Sequence, residues 1–130
     1  MTQGGAGECQ AGRALDKVSG LVVTRDGRYA YAAVRDSGAV AVFGRDRRTG
    51  VLRQLEGTNG CVGGAPADGC SPGRNLAGAR ALTLSPDGRS VYVAGAGGLA
   101  VLARDPHTGA LRQLSGRRGC VAESGQDGCA

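Results

Sequence analysis

The stretch from Arg80 to Gly116, RALTLSPDGRSVYVAGAGGLAVLARDPHTGALRQLSG, decides the fold, because an earlier copy of it precedes it in the chain. Shifted by 61 residues, Gly12 to Ala33 superimposes on Gly73 to Ala94 with nine identities in 22 positions, among them Arg13/Arg74, Leu15/Leu76, Asp26/Asp87, Gly27/Gly88 and Tyr31/Tyr92. At a shift of 59, Asp46 to Cys70 matches Asp105 to Cys129 at 14 of 25 positions, including the Thr-Gly pairs, the Leu-Arg-Gln-Leu runs and both cysteines of each copy. The chain is a repeat, and a period this long implies that each copy carries an insertion.

Within the later copy, four short runs read as strands: Ala81 to Ser85, Ser90 to Ala94, Leu99 to Ala103 and Ala110 to Leu114. Their counterparts are Gly20 to Thr24, Tyr29 to Val34, Ala39 to Phe43 and Val51 to Leu55. Alternation is clearest in Leu82-Thr83-Leu84 and Val91-Tyr92-Val93, as pleated segments with one better-buried face require. Turn chemistry bounds each run. Ser85-Pro86-Asp87-Gly88 puts proline where a preset φ suits the second turn position and glycine where φ turns positive, which predicts a hairpin between the first two strands. Asp105-Pro106-His107-Thr108-Gly109 does the same for the last two. Arg25 and Arg47 replace the prolines in the earlier copy, so aspartate and glycine alone keep the turn there.

Four antiparallel strands in a meander, recurring with tight turns, describe the blade of a β-propeller. SPDGR-SVYVA followed by LAVLARDPHTGALRQL resembles the YVTN-type repeat, and the DxxTGxL element resembles the seven-bladed lactonase-like propellers related to 6-phosphogluconolactonase. The resemblance covers Gly12 to Gly57 and Gly73 to Gly116. It implies an all-β fold of two consecutive four-stranded blades, an incomplete propeller. It also raises hydrolysis of a small lactone near a central channel as one function. No charged constellation of that kind can be matched onto this chain, so no catalytic residue is carried over, and propellers host many unrelated activities.

The expected organisation is residues 1–12 as the tail of a preceding repeat, 13–73 as one blade with its cysteine loop, and 74–130 as the next. Closed propellers need about four to eight blades, and one Phe, three Tyr and no Trp supply little apolar bulk. Two blades alone would leave a sheet face wet. The expected partners are therefore further blades in a longer chain or further copies of this one. In the repeat register Cys9 falls opposite Cys70, which places its partner before Met1. Met1 to Gly12 has neither the basic nor the apolar region of a signal peptide, and no run reaches the length of a membrane span.

Each copy carries an insertion that opens Gly-Cys-Val and closes Asp-Gly-Cys, with eight residues between the cysteines. Its small polar interior cannot bury a core of its own. A bridge across each loop would supply the missing constraint, pairing Cys61 with Cys70 and Cys120 with Cys129 and leaving Cys9 as an unpaired thiol. Zinc is the alternative, but zinc cysteines usually lie two to four residues apart and the only histidine, His107, sits in a turn. Disulfides imply an oxidising compartment: extracellular, periplasmic or cell-surface.

Other candidates reduce to turn chemistry. Ser85, Ser90 and Ser115 lack a recurring histidine and a GxSxG elbow. Asp26, Asp46, Asp87 and Asp105 precede or open turns, and no DxDxDG calcium loop occurs. The clusters Gly95 to Gly98 and Gly60 to Gly64 lack the helix and lysine of a phosphate loop. A net charge of +5 raises nucleic acid as a partner, yet the arginines are interleaved with aspartates and the tyrosines form no evident platform. No metal or cofactor is expected. The reading favoured by the repetition is a non-catalytic scaffold or binding segment, since identical residues in both blades are what stacking requires.

Overall fold

The computed structural model describes residues 9–129. The expected tail of a preceding repeat, residues 1–12, thus falls mostly outside the described residues, as does Ala130. The first sheet holds β1 (Val18–Val23), β2 (Tyr29–Val34), β3 (Ala39–Arg45), β4 (Leu52–Gln54) and β5 (Cys61–Gly63). The second repeats the plan with β6 (Ala81–Leu84), β7 (Ser90–Gly95), β8 (Gly98–Arg104), β9 (Leu111–Gln113) and β10 (Cys120–Ala122). Every strand pairing is antiparallel and each meander follows chain order, so the fold is two consecutive propeller blades.

The turns form as their residues dictate. Gly27 and Gly88 adopt φ of 76° and 73°, and their N–H groups close the turns onto Thr24 O and Ser85 O at 2.9 Å. At the other hairpin Gly50 and Gly109 close i→i+4 turns onto Asp46 O and Asp105 O at 2.7 and 2.8 Å.

The cysteine loops are more than the coreless insertions the sequence suggested. Each opens as a short strand on the same edge of β3 or β8 that β4 or β9 occupies further along. The reason is a mismatch of length. β3 runs seven residues and β4 three, so the Ala39–Ala41 end of β3 would otherwise be left without a ladder partner. Cys61, Val62 and Gly63 take that place. A three-residue strand carries no legible alternation, which is why the pattern did not reveal it.

Cys61 is bonded to Cys70 and Cys120 to Cys129, with Cα separations of 4.7 and 4.8 Å. Cys9 is exposed and belongs to neither bridge. In the first blade Ser71, just past the bridge, returns along β5: its N–H donates to Cys61 O at 2.9 Å and its carbonyl accepts from Gly63 N–H at 2.8 Å.

An arginine and a glutamine anchor each loop. Gln54 accepts from Arg13 N–H at 2.9 Å and donates to Arg13 O at 3.1 Å and Gly60 O at 2.9 Å. The Arg13 guanidinium donates to Leu55 O, Gly57 O and Asp68 O, all at 3.0 Å. Arg74 and Gln113 repeat the arrangement onto Leu114 O, Gly116 O and Gly119 O. The segment that leads into β1 thus carries, at Arg13, the side chain that ties loop to blade.

The two sheets come closest along β1 and β6, where Ser19 Oγ donates to Ala79 O at 2.9 Å. Between them lies one apolar layer: Tyr31, Val40, Val42 and Val62 from the first blade against Leu76, Val91, Val93, Leu102 and Leu111 from the second.

Replacing Cys61 and Cys70 together by serine should lower stability by about 2–3 kcal/mol, the loop-closure entropy of a ring of roughly ten residues. Urea unfolding with and without reductant measures it: the wild type should lose stability on reduction, and the double variant should lose only the share of the second bridge.

Candidate functional site at the seam between blades

One rim of the pair carries both kinds of hairpin turn. In the first kind, Asp26 Oδ1 accepts from Thr24 Oγ1 at 2.6 Å and Arg28 N–H at 3.0 Å, while Thr24 Oγ1 accepts from Tyr29 N–H at 3.1 Å. Ser85, Asp87, Arg89 and Ser90 repeat this at 2.6, 3.0 and 3.0 Å. In the second kind, Asp46 Oδ1 accepts the N–H groups of Arg48 and Thr49, and Asp105 Oδ1 those of His107 and Thr108.

These bonds favour the ionised carboxylates. The Thr24 hydroxyl and then Arg28 N–H hold Asp26 below the usual carboxylate range, and the Ser85 hydroxyl and then Arg89 N–H do the same for Asp87. Thr49 N–H leads for Asp46 and His107 N–H for Asp105. All four are turn anchors that stay charged at neutral pH, not proton donors.

Where the blades meet on this rim, Arg104 joins them. Its Nη1 donates to Gly88 O at 2.9 Å in its own blade, and its Nε donates to Tyr31 Oη at 2.8 Å in the other. Tyr31 Oη in turn donates to Gly109 O at 2.8 Å, and Tyr29 Oη donates to His107 O at 3.2 Å. The guanidinium carbon lies 5.6 Å from the Tyr29 ring centre and 6.0 Å from that of Tyr31. Arg104 Nη2 is shielded from solvent and has no hydrogen-bond partner among the described residues, so the electron-rich ring faces meet part of its charge.

Gly109 is required twice over: its φ is 77°, and a Cβ there would run into the Tyr29 ring. Burial is the leading cause that pushes the Tyr31 phenol up to about 12, against the opposing pull of Arg104. His107 contributes through its backbone.

Beside this link the rim opens into a crevice of about 490 Å³, lined by Thr24, Arg25, Asp26, Ser85, Asp87 and Arg104, among others. Val23, Leu84 and Pro86 also line it, so the lining is mixed polar and apolar and carries both charges. Its carboxylates already hold their own turns, and Arg104 already spans the seam. The arrangement can orient a polar ligand by hydrogen bonds; its two hydroxyl–carboxylate pairs, Thr24 with Asp26 and Ser85 with Asp87, close their own turns. Among the described residues no group of three or more His, Cys, Asp or Glu could hold a metal.

In the sequence Arg104 is one of the arginines interleaved with aspartates, and the tyrosines form no evident platform. The structure instead buries Arg104 partly against two of them. The arginine recurs as Arg45, which donates from Nη1 to Gly27 O at 3.0 Å, and that recurrence was the available signal.

Two antiparallel meander blades packed face to face around one apolar layer define a β-propeller wall. The 7-bladed β-propeller lactonase family matches residues 10–122, and the chain belongs to it. Among solved structures, the periplasmic gluconolactonase PpgL of Pseudomonas aeruginosa is 34% identical over 75% of this chain and 27% of its own, with a TM-score of 0.55. A protein of Lactobacillus plantarum is 35% identical over 78% of this chain and 27% of its own, with a TM-score of 0.58. The chain spans about a quarter of the length of each. No curated protein matches it.

The titrating groups set opposite limits on stability. The lowered aspartates stabilise the fold above their unfolded value near 3.9, a contribution lost as pH falls through their folded values. Raised Tyr31 stabilises it below its unfolded value near 10, a contribution lost as pH rises toward about 12. A urea midpoint followed across pH should fall on both sides of that window. Lys17 is the only lysine, so the alkaline limb reports mainly on tyrosine. Tyr31→Phe should flatten it and lower stability at neutral pH by about 1–3 kcal/mol, as loss of two hydrogen bonds around a charged group does.

Proposed function

We propose that this chain is a wall segment of a lactonase-family propeller, a scaffold that is not catalytic by itself. The observation that carries the reading is the use to which the rim's polar groups are put: Asp26 and Asp87 each hold their own turn through Oδ1, and Arg104 joins the blades through Nη1 and Nε. A catalytic acid needs a carboxyl near its proton-transfer range, and these lie on the other side of it. The repetition of Asp26 in Asp87 and of Arg45 in Arg104 supports the same reading, because structural roles recur with the blade and a single active site does not.

In this reading further blades complete the ring, and the disulfide loops suit a periplasmic or extracellular setting such as that of PpgL. Among the described residues no helix is long and apolar enough to cross a membrane.

Lactone hydrolysis is the second reading, favoured by the 34% identity to a gluconolactonase. In it, the crevice beside Arg104 and Arg25 would hold a sugar lactone or its carboxylate product, with groups from other blades supplying the chemistry.

The test is the rate of gluconolactone opening, followed by proton release, with the purified chain in excess over any trace contaminant. The wall-segment reading expects the spontaneous rate. Acceleration that disappears in Arg104→Ala and Asp26→Asn would overturn it in favour of the second.

A further inference from the structure

Three arginines of the first blade are additions to the repeat. On the rim that carries the hairpin turns, Arg25, Arg47 and Arg48 stand where the second blade has Pro86, Pro106 and His107, while Arg28 recurs as Arg89. The turns close alike with either set: the N–H groups of Gly27 and Gly88 bond at 2.9 Å, those of Gly50 and Gly109 at 2.7 and 2.8 Å. The added cations are therefore not needed by the turns that bear them.

They are also open. Arg25, Arg28, Arg47 and Arg48 are all exposed, the first two with the second blade packed beside them. Pro106 and His107, the copies of Arg47 and Arg48, stay exposed although the first blade packs on that side of the second. These turn tips thus project past a seam even where a neighbouring blade is in place. Their aspartates face inward: Asp26 Oδ1 and Asp46 Oδ1 accept the backbone N–H groups of their own turns. Among the described residues the only ion pair, Arg35 with Asp36 at 3.2 Å, lies at the opposite rim. The Arg47 stem crosses the first turn, its Cγ 3.7 Å from where a Cβ on Gly27 would lie, so the two turns form one surface. Charges that alternate along the sequence leave a positive patch in space.

Such a patch draws anionic partners, and its surroundings select among them. The turn tips at residues 25–28 and 46–50 bear no apolar side chain to enter a bilayer and no aromatic ring on which bases could stack. Beside Arg25 lies the crevice of about 490 Å³, to which Asp26 and Asp87 contribute carboxylates. A ligand that spans patch and crevice must offer oxyanions to the arginines and hydroxyl donors to the carboxylates. Sugars that bear carboxylates carry both, and the planar guanidinium fork matches a carboxylate through two parallel bonds.

We propose that this rim binds an acidic polysaccharide, its carboxylates pairing with Arg25, Arg28, Arg47 and Arg48 while the hydroxyls of one sugar reach the carboxylates of the crevice. The proposal rests on the wall-segment reading, in which the crevice binds and does not react, and it names what such a segment holds.

Titration calorimetry with oligogalacturonate, and with dextran as the uncharged control, tests this. The wild type should bind the first and not the second, and added salt should weaken binding because exposed charges are screened. Giving the first blade the residues of the second, by Arg25→Pro, Arg47→Pro and Arg48→His together, should weaken binding about tenfold or more, the loss of three exposed ion pairs. Glutamine at the same three positions should do the same without the constraint of proline. Arg80→Ala, Arg117→Ala and Arg118→Ala together remove as much charge at the other ends of the strands and should change binding by less than about twofold. Circular dichroism confirms that each variant is folded.

The proposal is overturned if the folded wild type fails to bind oligogalacturonate, if the rim variants bind as the wild type does, or if the control variant loses as much as they do. Tighter binding to single-stranded DNA or to phosphatidylglycerol vesicles than to oligogalacturonate also overturns it and identifies the other occupant. Each of these outcomes leaves the wall-segment reading intact; that reading falls instead if the chain accelerates gluconolactone opening, whatever its rim binds.

Discussion

The Arg104 guanidinium is held by one blade and read by the other: the Gly88 carbonyl fixes it, and the Tyr31 hydroxyl and two ring faces receive it. A partly buried cation must be compensated from every side or its desolvation outweighs what it contributes. Here the compensation requires the two sheets to stand at one separation and one offset. Apolar packing of Val and Leu side chains is tolerant of small slips, whereas the chain of hydrogen bonds from Arg104 through Tyr31 to Gly109 is not. Burial along the seam supplies most of the attraction, and this chain sets the geometry at which it is gained.

Much of this fold is written locally, and that part was legible. Hairpin turns depend on four or five neighbouring residues, so Asp-Gly and Thr-Gly announced them and the strands between followed from alternation. The bridges were legible because two cysteines recur at one spacing around a segment too polar to pack. What escaped was long-range. Arg13 reaches Leu55 and Asp68 across more than forty residues, and Tyr31 reaches Arg104 across seventy-three. Nothing in the immediate surroundings of either arginine separates it from the solvated arginines of the turns. Recurrence alone marks them, and recurrence says that a residue matters without saying what it touches.

The same economy limits chemistry on the rim. A carboxylate that accepts a hydroxyl and a backbone N–H on one oxygen to close a hairpin has its charge stabilised by the turn it holds. Asp26 and Asp87 hold β1 to β2 and β6 to β7 by this means. To release either one for proton transfer would loosen the turn it closes. A blade built from short turns therefore places many charged residues at its rim while leaving few of them available, and counting charges there overstates reactive capacity.

Residues that differ between the copies are the ones stacking does not constrain. Arg25 stands where the second blade has Pro86, Tyr29 where it has Ser90, and Arg48 where it has His107. Arg25 and Pro86 both border the crevice at the seam, and the turn beneath them closes with the same 2.9 Å bond in either case. The turn geometry thus tolerates exchange at that position, and a side chain there can be chosen for what it meets rather than for what it holds. Tyr29 adds a second asymmetry, since its hydroxyl reaches the His107 carbonyl of the next blade and Ser90 is too short to do the same for a third. At the seam, then, the arginine–tyrosine link rests on residues that recur in both blades, while the crevice beside it is lined in part by residues that differ between them.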